Sequence, residues 1–290
     1  MFSGTYTAIV TPFRKDGQVD YDAFKALVEK QVAAGIAGIV PVGTTGESPT
    51  LNIDEHIEVI RRAVEYAAGR FQVIAGTGAN STDEAIHLTK AAIECGADAT
   101  LQVTPYYNKP SQEGLYRHFS TIADLGLPVV LYNVPGRCSC EIPIPVVERL
   151  AAHPKVVAVK EAAGDVGRVS QIKDVCDLEV LCGDDSLTVP MISVGAHGVI
   201  SVASNIIPAE LVRMVEFALK DDFASARELH SKYYRLFRDV FVEVNPLPIK
   251  AAMAMMGMID EVYRLPLCEI SEKSRAKLRA TMVEAGLLED

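Results

Sequence analysis

Eight short apolar runs rich in Val, Ile and Leu divide this chain, at residues 6–10, 37–42, 72–75, 99–103, 129–132, 156–159, 179–181 and 198–202. Each stops at a polar or glycine turn and then gives way to a helical pattern. Strands that are apolar throughout and separated by helices pair in parallel with both faces covered. Residues 54–68 illustrate the helical stretches: Ile57, Ile60, Val64 and Ala67 recur at three- and four-residue spacing and are expected to face inward. Ser81 with Glu84 reads as a capping box for the next helix and Gly96 closes it, while Asn52 and Gly69 bracket the helix before. Eight units, each about 25 to 34 residues long, point to an α/β fold, a (β/α)8 TIM barrel, over an open doubly wound sheet. Periodicity alone does not show closure, so the open sheet stays in play.

The barrel is expected to span residues 1–221, and residues 222–290 to form a C-terminal helical domain, since no strand pattern occurs there. Leu229, Tyr233, Leu236, Phe237 and Val240 make one apolar stripe, and Leu278, Met282 and Ala285 make another beyond Pro266. Stripes of this kind bury themselves on the barrel, on a second copy, or on both.

Charge removes several classes of function. With 28 Lys+Arg against 38 Asp+Glu, the formal net charge is −10, which argues against a nucleic-acid partner. No apolar stretch approaches the roughly 18 residues of a membrane helix, and Met1-Phe2-Ser3-Gly4 lacks the basic start of a signal peptide, so a soluble, cytoplasmic protein is expected. The six cysteines are scattered, as reduced thiols are. Cys138-Ser139-Cys140 has metal-like spacing but no second Cys or His pair to complete four ligands, so no metal is expected.

In such barrels the chemistry lies where strands end. The second run ends in Gly43-Thr44-Thr45-Gly46-Glu47, the fourth in Thr104-Pro105-Tyr106-Tyr107-Asn108, and the fifth in Tyr132-Asn133-Val134-Pro135-Gly136-Arg137. The sixth ends in Lys160-Glu161, the seventh in Gly183-Asp184-Asp185, and Ser204-Asn205 follow the eighth. A lysine at a barrel mouth is poorly solvated; desolvation lowers its pKa and leaves an amine able to attack a carbonyl and form a Schiff base. The same position suits a lysine that snorkels to solvent or pairs with Glu161 or Asp185. Tyr132 and Tyr107 are phenols able to move protons, and the Thr44 hydroxyl, donor and acceptor at once, can link them; either tyrosine also suits an amphipathic filler. The Gly43 to Gly46 turn offers N–H groups and hydroxyls to a small carboxylate. Arg137 can fork onto a second carboxylate or sit in a surface salt bridge. No phosphate loop of the G-x-x-x-x-G-K-[ST] type exists, and Gly76-Thr77-Gly78 does not complete a dinucleotide fingerprint. A phosphate or flavin site at Gly195-Ala196-His197-Gly198 meets no Lys or Arg and is flanked by Asp184 and Asp185, which would repel phosphate.

Taken together these motifs resemble the dihydrodipicolinate synthase family, within the class I pyruvate aldolase and lyase superfamily. The resemblance runs end to end. It includes Ala8-Ile9-Val10-Thr11-Pro12, Gly43 to Ser48, Ala75-Gly76-Thr77-Gly78, Thr104 to Pro110, Tyr132 to Pro135 with Arg137, and Val159-Lys160-Glu161. Gly183-Asp184-Asp185, Gly198 to Val202 and Asn245-Pro246-Leu247-Pro248-Ile249-Lys250 continue it. The resemblance implies that Lys160 forms a Schiff base with pyruvate and that Tyr132, Thr44 and Tyr107 relay protons, Tyr107 reaching into a neighbouring subunit. It implies that Thr44, Thr45 and the Ile200 backbone meet the pyruvate carboxylate and that Arg137 binds L-aspartate 4-semialdehyde. The product would feed diaminopimelate and lysine synthesis, with no cofactor or metal, in a homotetramer built as a dimer of dimers.

Relatives that share the Lys and Tyr core include N-acetylneuraminate lyase, 2-keto-3-deoxygluconate aldolase and 4-hydroxy-2-oxoglutarate aldolase, so an aldolase for a sugar-derived 2-oxo acid is the alternative. The sialate enzymes lack an Arg matching Arg137 and carry Ser before Thr in the turn, and both features here favour the synthase. In feedback-inhibited relatives L-lysine binds residues matching Ser48, His56, Asn80, Glu84 and Tyr106. Ile53 and Pro49 depart from that pattern, where the sensitive members have His and Ala, and an ordinary solvated helix face also accounts for His56 and Glu84.

Overall fold

A strand covered on both faces has no polar side to show to water, and this is why the eight runs are apolar at successive positions. The structure, a computed structural model, describes residues 2–289. All eight runs become strands: β1 Gly4–Ala8, β2 Gly38–Val40, β3 Gln72–Gly76, β4 Ala99–Val103, β5 Val129–Asn133, β6 Val156–Glu161, β7 Glu179–Cys182 and β8 Gly198–Ser201. Each pairs in parallel with its sequence neighbours, and β8 pairs with β1 to close the barrel. Closure demands a glycine at that seam, because a Cβ on Gly198 would lie 1.9 Å from the Gly4 carbonyl oxygen.

The strands differ from the apolar runs at their ends. β2 stops at Val40 because Pro41 has no N–H for the ladder and Val42 turns to φ +50, so the chain leaves the sheet two residues before its run ends. β5 and β6 run on through Asn133 and Glu161, whose polar side chains find buried partners beyond the apolar stretch. The helix Ile53–Ala67 buries His56, Val59, Ile60, Ala63 and Ala67, leaving Ile57 and Val64 half-buried at the margin of its inner face. Its capping box joins Asn52 to Glu55, and it ends on a left-handed Ala68, one residue before Gly69. In the next helix, Thr82–Cys95, Ser81 sits at the cap position without a side-chain bond, so Glu84 completes no capping box there; Gly96 closes it in the left-handed conformation as expected.

Beyond the helix Pro208–Leu219 come the helices Phe223–Asp239, Leu247–Met255 and Glu272–Glu284. Tyr233, Leu236, Phe237, Val240, Leu278 and Met282 are buried in the same core as Tyr6, Val40 and Met214, so the tail's stripes pack on the barrel; Leu229 and Ala285 lie half-buried at its edge. Each fully buried side chain of that size contributes about 1.5–3 kcal/mol. Among the described residues no helix is long and apolar enough to cross a membrane.

Candidate active site

Successive strand residues point to opposite faces, so Lys160 and Glu161 at the end of β6 serve different surroundings. Glu161 is fully buried and accepts hydrogen bonds from Asn133 Nδ2 at 2.9 and 3.1 Å, the Ala163 N–H at 3.0 Å and Arg168 Nε at 3.2 Å. Burial pushes its carboxyl above the ordinary range, with Arg168 and Asn133 pulling the other way. Arg168 also donates to the Ile142 carbonyl at 3.0 Å and to Glu141. Asp185 accepts from Ser201 Oγ and from the N–H groups of Val202 and Ala203, both at 3.1 Å, and so builds the turn after β8. The two carboxylates expected as partners for Lys160 are thus engaged elsewhere.

Lys160 is 6% exposed, and its Nζ lies 4.2 Å from the centre of the Tyr132 ring. The sheet register dictates this meeting, since Tyr132 on β5 is the lateral partner of Lys160 on β6. A cation over a phenol ring is stabilised by the ring's negative face without a carboxylate. Lys160 and Tyr132 line a small cavity of ≈ 70 Å³ together with Thr44, Thr45, Arg137 and Asp184. Thr45 Oγ1 accepts from Asn245 Nδ2 at 2.9 Å, and the Asn245 carbonyl accepts from Arg137 Nη2 at 3.0 Å, so one residue of the C-terminal part ties both anion-binding candidates together. Arg137 is exposed and makes no salt bridge among the described residues.

The turn that carries Thr44 and Thr45 is held from below. Glu47, left-handed at φ +55, forms an ion pair with Lys250 in which both side chains are completely buried. The Lys250 ammonium also lies 4.3 Å from the centre of the Phe13 ring. Two charges withdrawn from water persist only when paired and hydrogen-bonded. Glu47, Asn245 and Lys250 stand inside motifs that the sequence presents, without a role attached to them; Arg168 carries no local signal at all.

Two expected participants lie elsewhere. Tyr107, at φ +73, is 91% exposed and lines neither cavity, so it does not meet Thr44 within one chain. Ile200 is buried inside β8 and lines neither cavity. A wider groove of ≈ 450 Å³, sharing Thr44, Tyr132 and Arg137 with the small cavity, is lined by Ser48, His56, Glu84 and Tyr106. Asn80 is set back from it; its Nδ2 donates to the Tyr106 carbonyl at 3.3 Å. His56 Nε2 is 2.7 Å from the Gly76 carbonyl, and burial lowers the pKa of the imidazole against the pull of that bond. His56 is therefore a buried side chain and not part of a solvated helix face. Burial, then Glu84 and Cys138, raise the Tyr106 phenol.

Comparison with known proteins agrees along the whole chain. Residues 1–285 match the model of the dihydrodipicolinate synthetase family. The 4-hydroxy-tetrahydrodipicolinate synthase of Endomicrobium trichonymphae is 50% identical over 291 residues, covering 99% of this chain and all of the relative. Dihydrodipicolinate synthase of Acinetobacter baumannii, solved in complex with pyruvate, superposes with a TM-score of 0.97 at 45% identity over 99% of this chain and all of that one. The enzyme of Cyanidioschyzon merolae, solved with lysine bound, gives 0.95 at 41% identity over 99% of both chains.

Proposed function

The chain belongs to the dihydrodipicolinate synthetase family, and from that premise we propose that it condenses pyruvate with L-aspartate 4-semialdehyde, as a 4-hydroxy-tetrahydrodipicolinate synthase of the diaminopimelate and lysine route. The observation that carries the chemistry is Lys160, buried at the end of β6 under the Tyr132 ring, in a cavity it shares with Thr44, Thr45 and Arg137. Its amine adds to the ketone of pyruvate and loses water to give an iminium, and loss of a methyl proton makes the enamine. The enamine carbon attacks the aldehyde. The amine of the second substrate then attacks the iminium carbon, closing the ring and releasing Lys160.

Tyr132, Thr44 and Tyr107 carry protons in this scheme, Thr44 and Thr45 hold the pyruvate carboxylate with the Ile200 backbone nearby, and Arg137 binds the carboxylate of the semialdehyde. The exposure of Tyr107 supports a site completed by a second copy, in a dimer that pairs into a tetramer. L-Lysine as an effector would use the groove at Ser48, His56, Glu84 and Tyr106, with Asn80 bracing Tyr106. The barrel is assigned to residues 1–221 and the helical domain to 222–290. Six free thiols suit work in the cytoplasm.

The test combines pyruvate with borohydride and maps the adduct by peptide mass spectrometry, followed by turnover with L-aspartate 4-semialdehyde. An adduct on Lys160 and turnover of the semialdehyde are expected. An adduct without turnover would move the assignment to an aldolase for a sugar-derived 2-oxo acid.

A further inference from the structure

One carboxylate in the small cavity has no assigned task. Asp184, the second residue after β7, lines the cavity with Lys160, and its Oδ2 is buried without a hydrogen-bond partner. The backbone places it there. A Cβ on Gly183 would lie 3.2 Å from Lys160 Cε and 2.6 Å from the Ala162 Cβ, so only a glycine lets the end of β7 lie against the lysine stem. The main chain around Asp184 is pinned in turn, because the Cys182 thiol donates to its carbonyl at 3.1 Å.

Leaving a buried carboxylate oxygen without a donor costs on the order of 1–3 kcal/mol or more, so the position calls for a partner that comes and goes. We propose that Asp184 is the proton acceptor for Lys160 during Schiff-base formation. Its titratable neighbours are Lys160 from β6, Tyr132 from β5, Arg137 from the helical turn after β5, and Cys182 and Asp185 on its own segment. Residues 198–205, from β8 and the turn after it, supply only apolar, hydroxyl and amide side chains. Burial raises the Asp184 carboxyl, with the Lys160 charge and the Gly164 N–H from the loop after β6 opposing the rise, which makes it a better proton acceptor.

The protons balance. Lys160 and Asp184 line the cavity together without a direct ion pair or hydrogen bond, so the ammonium passes one proton to the Asp184 carboxylate through a single water. The free amine then adds its lone pair to the ketone carbon as the carbonyl π bond opens onto oxygen. That oxygen takes up two protons, one from the added nitrogen and the one lodged on Asp184. The C–O bond breaks, water leaves, and the nitrogen keeps its last proton as the iminium. Asp184 is a carboxylate again.

This step rests on the Schiff-base reading and is tested without the second substrate. Wild type, D184N, D184E and D184A are incubated with pyruvate from pH 5 to 9, quenched at set times with borohydride, and the Lys160 adduct is quantified by mass spectrometry. Wild type is expected to slow on the acid side as Asp184 becomes protonated. D184N should form adduct about 10²-fold more slowly and lose that acid limb. D184E should retain both rate and limb to within about tenfold, and formate should restore D184A in proportion to its concentration, which a purely structural role would not allow. Should D184N fail to fold, the D184A and formate series decides alone. Adduct formation in D184N at or above the wild-type rate would reduce Asp184 to a counter-ion, and a D184A loss that formate leaves unrepaired would overturn the proposal equally. Absence of any adduct in wild type would remove the Schiff-base reading and this step with it.

Discussion

The floor of the site and its rim are built in opposite ways. On the floor, Glu161 is fully buried and accepts four hydrogen bonds from Asn133, Ala163 and Arg168, Asn133 bridges it to the Ile142 N–H at 2.9 Å, and Lys160 is pressed against a ring. At the rim, Tyr107 is 91% exposed at φ +73, followed by Lys109 at φ +44, and the loop is tied by amide contacts such as Asn108 Nδ2 to the Asn80 carbonyl at 2.8 Å. A non-glycine residue in that conformation costs about 1–2 kcal/mol. The floor therefore orders itself within one chain, whereas the rim holds a strained aromatic residue that nothing in the same chain covers. Chemistry placed on the floor should survive dilution to a monomer, and chemistry placed at the rim should depend on the second copy proposed above.

The largest effect expected tests the floor. Lys160→Ala should abolish the pyruvate adduct and lower turnover on the order of 10⁴-fold or more. Arg137→Ala, near the mouth, should leave the adduct intact while crippling turnover of the semialdehyde. Equal loss of adduct in both variants, read by mass spectrometry, would contradict the division between the two residues.

Next comes the stability of the floor itself. Arg168→Leu leaves Glu161 buried without its cation and should cost about 3–5 kcal/mol in denaturant unfolding, because a buried charge stripped of its partner keeps its desolvation penalty. The double variant Arg168→Leu with Glu161→Gln should recover a large part of that loss. Additive losses in the pair would mean that packing, not charge, sets the cost.

The rim is tested by complementation. Tyr107→Phe should leave the melting temperature unchanged, since its ring packs on nothing in its own chain, and should reduce turnover about 10²-fold by removing one member of the relay. Mixing it with Lys160→Ala, after dissociation and reassembly, should regain activity, because a mixed dimer holds one site with both Lys160 and the Tyr107 hydroxyl. Mixtures no more active than their parts would place the relay inside one chain.

The same contrast explains which features are legible in the sequence. Strand number, parallel pairing and the strand-end positions of Lys160 and Tyr132 follow from burial on two faces, a local signal that each apolar run carries by itself. Thr44 and Arg137 lie beyond the ends of β2 and β5, and the barrel is indicated only by the count of eight units, since no single run encodes the β8 to β1 pairing that closes it. On the helix Ile53–Ala67, Ile60 and Ala67 are buried as their spacing predicts, whereas Ile57 and Val64 look as apolar as Val59 and Ala63, and only packing separates them. Pairs such as Glu47 with Lys250, 203 residues apart, leave no local trace, since each member alone reads as surface charge. Asp184 stands in plain view in Gly183-Asp184-Asp185, but a sequence does not say which carboxylate caps a turn and which keeps one buried oxygen without a donor. The chemistry of two phenols and a hydroxyl groups Tyr107 with Thr44 without saying which chain each belongs to, and a single chain keeps them apart.

The smallest expected effect concerns a region that serves neither floor nor rim and so acts as their control. Asp239 joins the helix Phe223–Asp239 to the helix Glu272–Glu284, accepting from Thr281 Oγ1 at 2.7 Å and pairing with Lys277 at 3.0 Å and Arg238 at 2.8 Å. Burial works against its charge, but Arg238, Thr281 and Lys277 prevail and hold the carboxyl at about 2. A folded-state pKa below the ordinary value favours the ionised form in the native chain. Its contribution is therefore complete above about pH 4 and disappears as the pH falls toward about 2. Lys277 and Arg238 are half exposed, so screening limits the contribution to about 1 kcal/mol. Asp239→Asn should flatten that part of the stability profile in urea titrations between pH 5 and 2, with 0.5 M salt shrinking the difference from wild type. The same variant should form the Lys160 adduct at the wild-type rate at pH 7. A slowed adduct would mean that the C-terminal helices reach the floor through Asn245 and Lys250 more strongly than their two contacts with the Thr45 and Glu47 turn imply.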